Sequence, residues 1–173
     1  IVDQVEISQA LGAGVRIVGG TANLHRLYLN DLGEGIYVSN GWRGDFKKTF
    51  LSNIASSPFR FEEYLASGEP NNKGLFEDLT FIGPSAGSLL QLKSGGADLN
   101  LKNWYVSQIG SFLSLEEDAF HRIDSLQVNP IYFTGSAVNL ITPTSLNTDF
   151  IIQSENQGAG SGAEKPIWLN WTN

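Results

Sequence analysis

Acidic side chains are the residues in this chain best placed, by type and spacing, to do chemistry. Glu116, Glu117 and Asp118 are followed closely by His121, Arg122 and Asp124. A second group comprises Glu62, Glu63, Glu69, Glu77 and Asp78. Two carboxyl groups about 5 to 10 Å apart can run glycoside hydrolysis. Carboxylate oxygens also suit a calcium ion. If the chain is an enzyme, Glu116, Glu117, Asp118 and Asp124 are its catalytic candidates. The competing reading makes both groups turn or helix-end charges facing water. We adopt that reading and assign no catalytic residue, no metal and no cofactor.

Other motifs carry less. Gly83-Pro84-Ser85-Ala86-Gly87 matches the G-x-S-x-G of a nucleophile elbow, which needs a strand before it and a helix after it. Leu79 to Ile82 supplies the strand, but Ser88 to Leu92 reads as another strand, so the motif reads as a turn. Gly158-Ala159-Gly160-Ser161-Gly162 lacks the spacing of a phosphate loop and the Lys-Ser/Thr that follows one. His25 and His121 are the only histidines and there is no Cys, which argues against zinc and excludes disulfides. His25 reads as a solvent-facing residue. Arg43-Gly44-Asp45 is an integrin-type tripeptide of a kind that arises by chance, here between turn glycines. Asn170-Trp171-Thr172 is a glycosylation sequon, which has meaning only in a secreted chain.

The elements that would position these residues repeat. Leu79-Thr80-Phe81 is followed by Gly87-Ser88 and Leu89-Leu90-Gln91-Leu92. Leu99-Asn100-Leu101 is followed by Gly110-Ser111 and Phe112-Leu113-Ser114-Leu115, and Leu126-Gln127-Val128 by Gly135-Ser136 and Ala137-Val138-Asn139-Leu140. First strands start near Val5, Leu27, Phe50, Leu79, Leu99, Leu126 and Phe150. Second strands start near Val15, Ile36, Phe59, Leu90, Leu113, Val138 and Ile167. About seven coils of roughly 24 residues account for the chain. Inserted loops are expected near 65–75 and 157–165, where Gly, Pro, Asn and Ser cluster. Ser57-Pro58 to Gly68 has the caps of a short helix, and Ser114 to Glu117 has the spacing of a capping box.

Each strand pair is too short to bury its own apolar face, and stacked copies make one continuous core. The expected fold is therefore all-β: a single parallel β-helix over residues 1–173, with a β-sandwich or jelly roll as the rival. In this repeat, Leu79, Leu99 and Leu126 should stack, as should Leu90, Leu113 and Val138. The coils from Leu24 to Asn156 resemble the right-handed parallel β-helix superfamily. That group includes pectate-lyase-like enzymes, phage tailspikes and some phage capsid-decoration proteins. The resemblance implies either a virion structural protein or a polysaccharide-active one, whose lyases use acidic residues, often around calcium.

Composition narrows the choice. The chain has 173 residues, 41% hydrophobic and 17% charged, with net charge −7. Its eleven Lys and Arg are scattered, so no basic face is offered to nucleic acid. No apolar run is long enough for a membrane-spanning helix, and no secretory signal is visible. Met is absent, position 1 included, which reads as processing or as a piece of something longer. Aromatics are expected at coil edges and ends, where Trp and Tyr favour interfaces: Trp42, Trp104, Trp168 and Trp171 are the interface candidates. An open coil end at Trp168 to Trp171 needs a cap or a partner. The expectation is a homo-oligomer, a trimer, docked on a larger particle such as a capsid and located in the virion. The alternatives are a polysaccharide-binding or -cleaving β-helix, with a glycan as partner, and a surface adhesin domain.

Overall fold

The computed structural model describes residues 1–62, 72–93, 97–115, 126–134, 139–142 and 152–153. They form β-strands with no helix among them: β1 (Val2–Val18), β2 (Thr21–Ser39), β3 (Arg43–Ile54), β4 (Phe59–Glu62), β5 (Asn72–Lys93), β6 (Ala97–Leu115), β7 (Leu126–Thr134), β8 (Asn139–Thr142) and β9 (Ile152–Gln153). Every pairing between them is parallel. Parallel neighbours rule out the antiparallel sandwich or jelly roll. The described residues form a parallel β-solenoid, with about four turns up to Leu115 rather than the seven coils expected of the chain. Beyond Leu115 the backbone ladder continues through β7, β8 and β9.

Left-handed backbone bends each strand into a coil. Gln4, Arg26, Lys48 and Asp78 have φ of 59, 52, 55 and 57°. Their neighbours pair in register, Asp3 with His25, Lys47 with Glu77, so the four residues stack as one corner. Gln9, Asp31 and Asn53 form a second corner at φ 58, 57 and 51°. Gly19-Gly20 and Asn40-Gly41 form a third, also at positive φ. Positive φ is costly for residues with a Cβ, so the surrounding ladder must hold these corners in place. Each corner also shifts the in–out alternation by one residue. Along β2 the residues of the apolar core run Leu24, Leu27, Leu29, Leu32, Ile36, Val38, and the shifts keep this set inside through the bends.

The core is aromatic at its centre. The Phe76 ring lies 4.8 Å from Phe46 and nearly parallel to it, edge-on to Phe59 at 5.4 Å and Phe61 at 5.6 Å, and within 6.2 Å of Trp42 and Trp104. Trp42 and Trp104 are 0% exposed. The two indoles expected at exposed coil edges are thus core residues. Each satisfies its one polar atom inside the coil, Trp42 Nε1 donating to Ala22 O at 3.1 Å and Trp104 Nε1 to Phe76 O at 3.0 Å. Buried Asn72 accepts the backbone N–H of Gly41 and Trp42 at the third corner.

The expected columns hold in part. Val15, Ile36, Phe59, Leu90 and Leu113 stack in register as spaced. Leu113 then pairs with Ile141 rather than Val138, which lies outside the described residues. Leu99 pairs with Leu126, but Leu79 pairs with Thr49 and Trp104. The helix expected from Ser57-Pro58 is corrected at its start: Phe59–Glu62 is strand β4, held between β2 and β5. The expected loop also ends sooner, because β5 begins at Asn72.

Candidate functional site

Three surfaces gather the polar and exposed apolar side chains of the described coils. The first is a flank where parallel register stacks Asp3, His25, Lys47, Glu77 and Lys102 in one column. Like charges at one coil spacing would repel, and here Glu77 lies between Lys47 and Lys102 while Asp3 lies beside His25. Asp45, from the neighbouring column, joins it: His25 Nε2 donates to Asp45 Oδ1 at 3.0 Å and Lys47 Nζ lies 3.1 Å from Asp45 Oδ2. Lys47 and Lys102 reach Glu77 at 4.0 and 3.7 Å. Partial burial pushes the Asp45 carboxyl upward, but the hydrogen bonds from His25 and Lys47 outweigh it and hold it below the usual range. His25 is half-buried on this partner, not solvent-facing as expected. Asp45 also donates its backbone N–H to Asn23 Oδ1, so Arg43-Gly44-Asp45 is the ordered start of β3 rather than a loop.

The second surface stacks Arg16, Tyr37, Arg60 and Gln91. The guanidinium carbons of Arg16 and Arg60 lie 5.1 and 5.0 Å from the Tyr37 ring centroid, so one ring serves two cations. Arg60 forks between Glu34 Oε1 at 3.1 Å and Glu62 Oε2 at 2.7 Å, and Tyr37 Oη donates to Glu62 at 2.9 Å. Desolvation works against the Arg60 charge, but Glu62 and Glu34 more than offset it and raise its pKa above the ordinary value. Glu62 is therefore a buried structural carboxylate. Sequence reasoning passed over this cluster, although Arg16, Tyr37 and Arg60 each follow a correctly spaced column residue by one position.

The third surface is the solenoid's first coil. Val5, Ile7, Ala10, Val15 and Ile17 line the inner columns yet are only partly buried. Ile1, Val2, Leu11 and Val18 are exposed, Leu11 completely. Among the described residues β1 pairs only with β2.

The remaining candidates divide plainly. Gly83 to Gly87 lies within β5 and no helix follows it, so the nucleophile-elbow geometry is absent there. Of the second acidic group, Glu62 and Glu77 sit on different flanks. Glu116, Glu117, Asp118, His121, Asp124, Trp168 and Trp171 lie outside the described residues. No three His, Asp or Glu among the described residues could hold a metal ion. No family model, curated protein or solved structure matches this chain.

Proposed function

We propose that this chain is a structural assembly protein, a virion-type decoration or spike element that works through contacts between copies and with a larger particle such as a capsid. The observation that supports the reading is the apolar first coil. Inner-column residues that are fully buried one coil later are half-exposed there. A solenoid end needs covering, and an unpaired strand edge is a template for another strand. The edge of β1 carries no Lys or Pro, though Asp3, Glu6, Arg16 and an irregularity between Ala10 and Ala13 interrupt it. The flanks support the same reading, because their Asp, Glu, Lys and Arg tie coil to coil. In this reading the oligomer, a trimer by expectation, supplies the binding energy through apolar contact and needs no cofactor.

Light scattering on the full chain after size exclusion tests the proposal. An oligomer is expected at tens of micromolar. A monomer that also fails to bind any larger particle overturns it. Release of sugar ends from a polysaccharide panel would put the polysaccharide-cleaving alternative in its place.

A further inference from the structure

Asn40-Gly41 is the single Asn-Gly step in the chain. Both residues lie at the third corner with positive φ, 58° and 83°, and Asn-Gly is a pair that adopts such a turn at low cost. The same pair is chemically labile. In an open chain the Gly41 nitrogen reaches the Asn40 side-chain carbonyl unobstructed, because glycine has no Cβ, and asparagine is among the thermolabile residues. One coil earlier the corner is Gly19-Gly20, at φ 68° and 75°, which makes the turn with no amide to lose. In the folded coil the reacting nitrogen is held elsewhere. Gly41 N–H donates to Asn72 Oδ1 at 3.1 Å, and Trp42 N–H donates to the same oxygen at 3.0 Å. Asn72 is 0% exposed and is itself fixed, its Nδ2 donating to Glu62 O at 3.3 Å. Asn40 N–H donates to that same carbonyl at 3.2 Å. The backbone amides on both sides of the Asn40 Cα are thus tied to the following coil.

We propose that Asn40 is a site of spontaneous deamidation, and that Asn72 is the latch that keeps it unreacted while the third corner is closed. The reaction needs water alone as its co-reactant. The Gly41 nitrogen gives up its proton and bonds to Asn40 Cγ. The Cγ–Nδ2 bond breaks and ammonia leaves, closing a five-membered imide. Water then opens the imide at either carbonyl, leaving aspartate or isoaspartate at position 40. The bond to Asn72 opposes the first step twice: it keeps the proton on Gly41 N, and it pins that nitrogen toward Asn72. Reaction therefore runs through the fraction of molecules in which the corner is open. Asn40 is half-buried, so water reaches it. The isoaspartate product puts one extra carbon into the backbone between the Ser39–Glu62 and Arg43–Lys73 pairs. A corner that has reacted in this way no longer matches the ladder on either side of it. The site needs a single chain and stands apart from the assembly reading.

Peptide mass mapping of the full chain, aged in mildly alkaline buffer, tests the proposal. Native wild type should convert at Asn40 about tenfold or more slowly than the same chain in urea. Asn72→Ala removes the acceptor from Gly41 and Trp42 and should raise native conversion at Asn40 about tenfold. Asn23→Ala is the control. It removes a backbone cap of the same kind, the acceptor of Asp45 N–H, and should leave the rate at Asn40 near that of wild type. Circular dichroism checks that both variants keep their coils. Native wild type that converts as fast as the urea sample overturns the proposal. So does a folded Asn72→Ala chain whose rate matches that of Asn23→Ala. Hydrogen exchange on wild type decides the case if Asn72→Ala does not fold: a protected Gly41 N–H is expected, and a fast-exchanging one overturns the latch.

Discussion

The first coil and the coils around Phe76 are built from the same columns and end in opposite conditions. One column runs Val5, Leu27, Thr49, Leu79 and Trp104. Its members from Leu27 onward are at most 2% exposed, whereas Val5 is only partly buried. A second runs Val15, Ile36, Phe59 and Leu90, with the last three at 0%. Residue type does not separate Val5 from Leu27 or Val15 from Ile36. Position does, because an inner side chain is covered only when a coil lies on both sides of it. Among the described residues, Leu27 and Ile36 have a paired coil on both sides, and Val5 and Val15 have one on a single side.

Paired substitutions sharpen that contrast. Phe76→Ala should cost the most, about 3–5 kcal/mol in denaturant unfolding, because it empties the point where six aromatic rings meet. Val15→Ala in the half-covered coil should cost about 1 kcal/mol or less in the dissociated chain. Equal costs would break the comparison. Gly44→Ala should come next, at about 2 kcal/mol or more. Gly44 has φ 153°, and an added Cβ would meet Ala22 O at 2.0 Å, a backbone atom that cannot step aside. Thermal unfolding of the variant measures it. Tyr37→Phe should cost about 1 kcal/mol, since Glu62 loses one donor but keeps Arg60.

The smallest effect is a pH effect. Asp45 has its carboxyl held below its ordinary value of 3.8 by His25 and Lys47 against the opposing pull of burial. A depressed folded-state value means that its stabilisation is present above that ordinary value and is lost as pH falls through the folded one. Wild type should therefore exceed Asp45→Asn in unfolding midpoint at about pH 6 and lose that margin toward about pH 2. A margin that grows with acid would show that the flank ladder is arranged differently.

The sequence showed this architecture unevenly, and the reason is local. The second-strand column was legible because Val15, Ile36, Phe59, Leu90 and Leu113 are all apolar and no left-handed residue interrupts the strand beside them. The first-strand column slipped at Phe50. The inner position there is Thr49, a polar residue at 1% exposure, and the apolar Phe50 one place along masks it. The corners at Gln4, Arg26 and Lys48 were invisible because nothing in a Gln, Arg or Lys announces positive φ; only the stacked ladder imposes it. Trp42 and Trp104 were misplaced for a related reason. A large aromatic near a turn reads as surface until its N–H finds a carbonyl one coil away. The open first coil needed the burial of each residue against its column mates, which composition cannot supply.

Hydrogen exchange across a concentration series tests the central claim most directly. Among the described residues β1 pairs only with β2, which leaves its outward amides without a ladder partner there, whereas β3, β5 and β6 are each paired on both sides. The account predicts that β3 to β6 exchange slowly at every concentration, while the outward amides of β1 exchange fast when dilute and become protected as the chain assembles. Outward β1 amides that stay fast at every concentration, or are already protected in the most dilute sample, would contradict it.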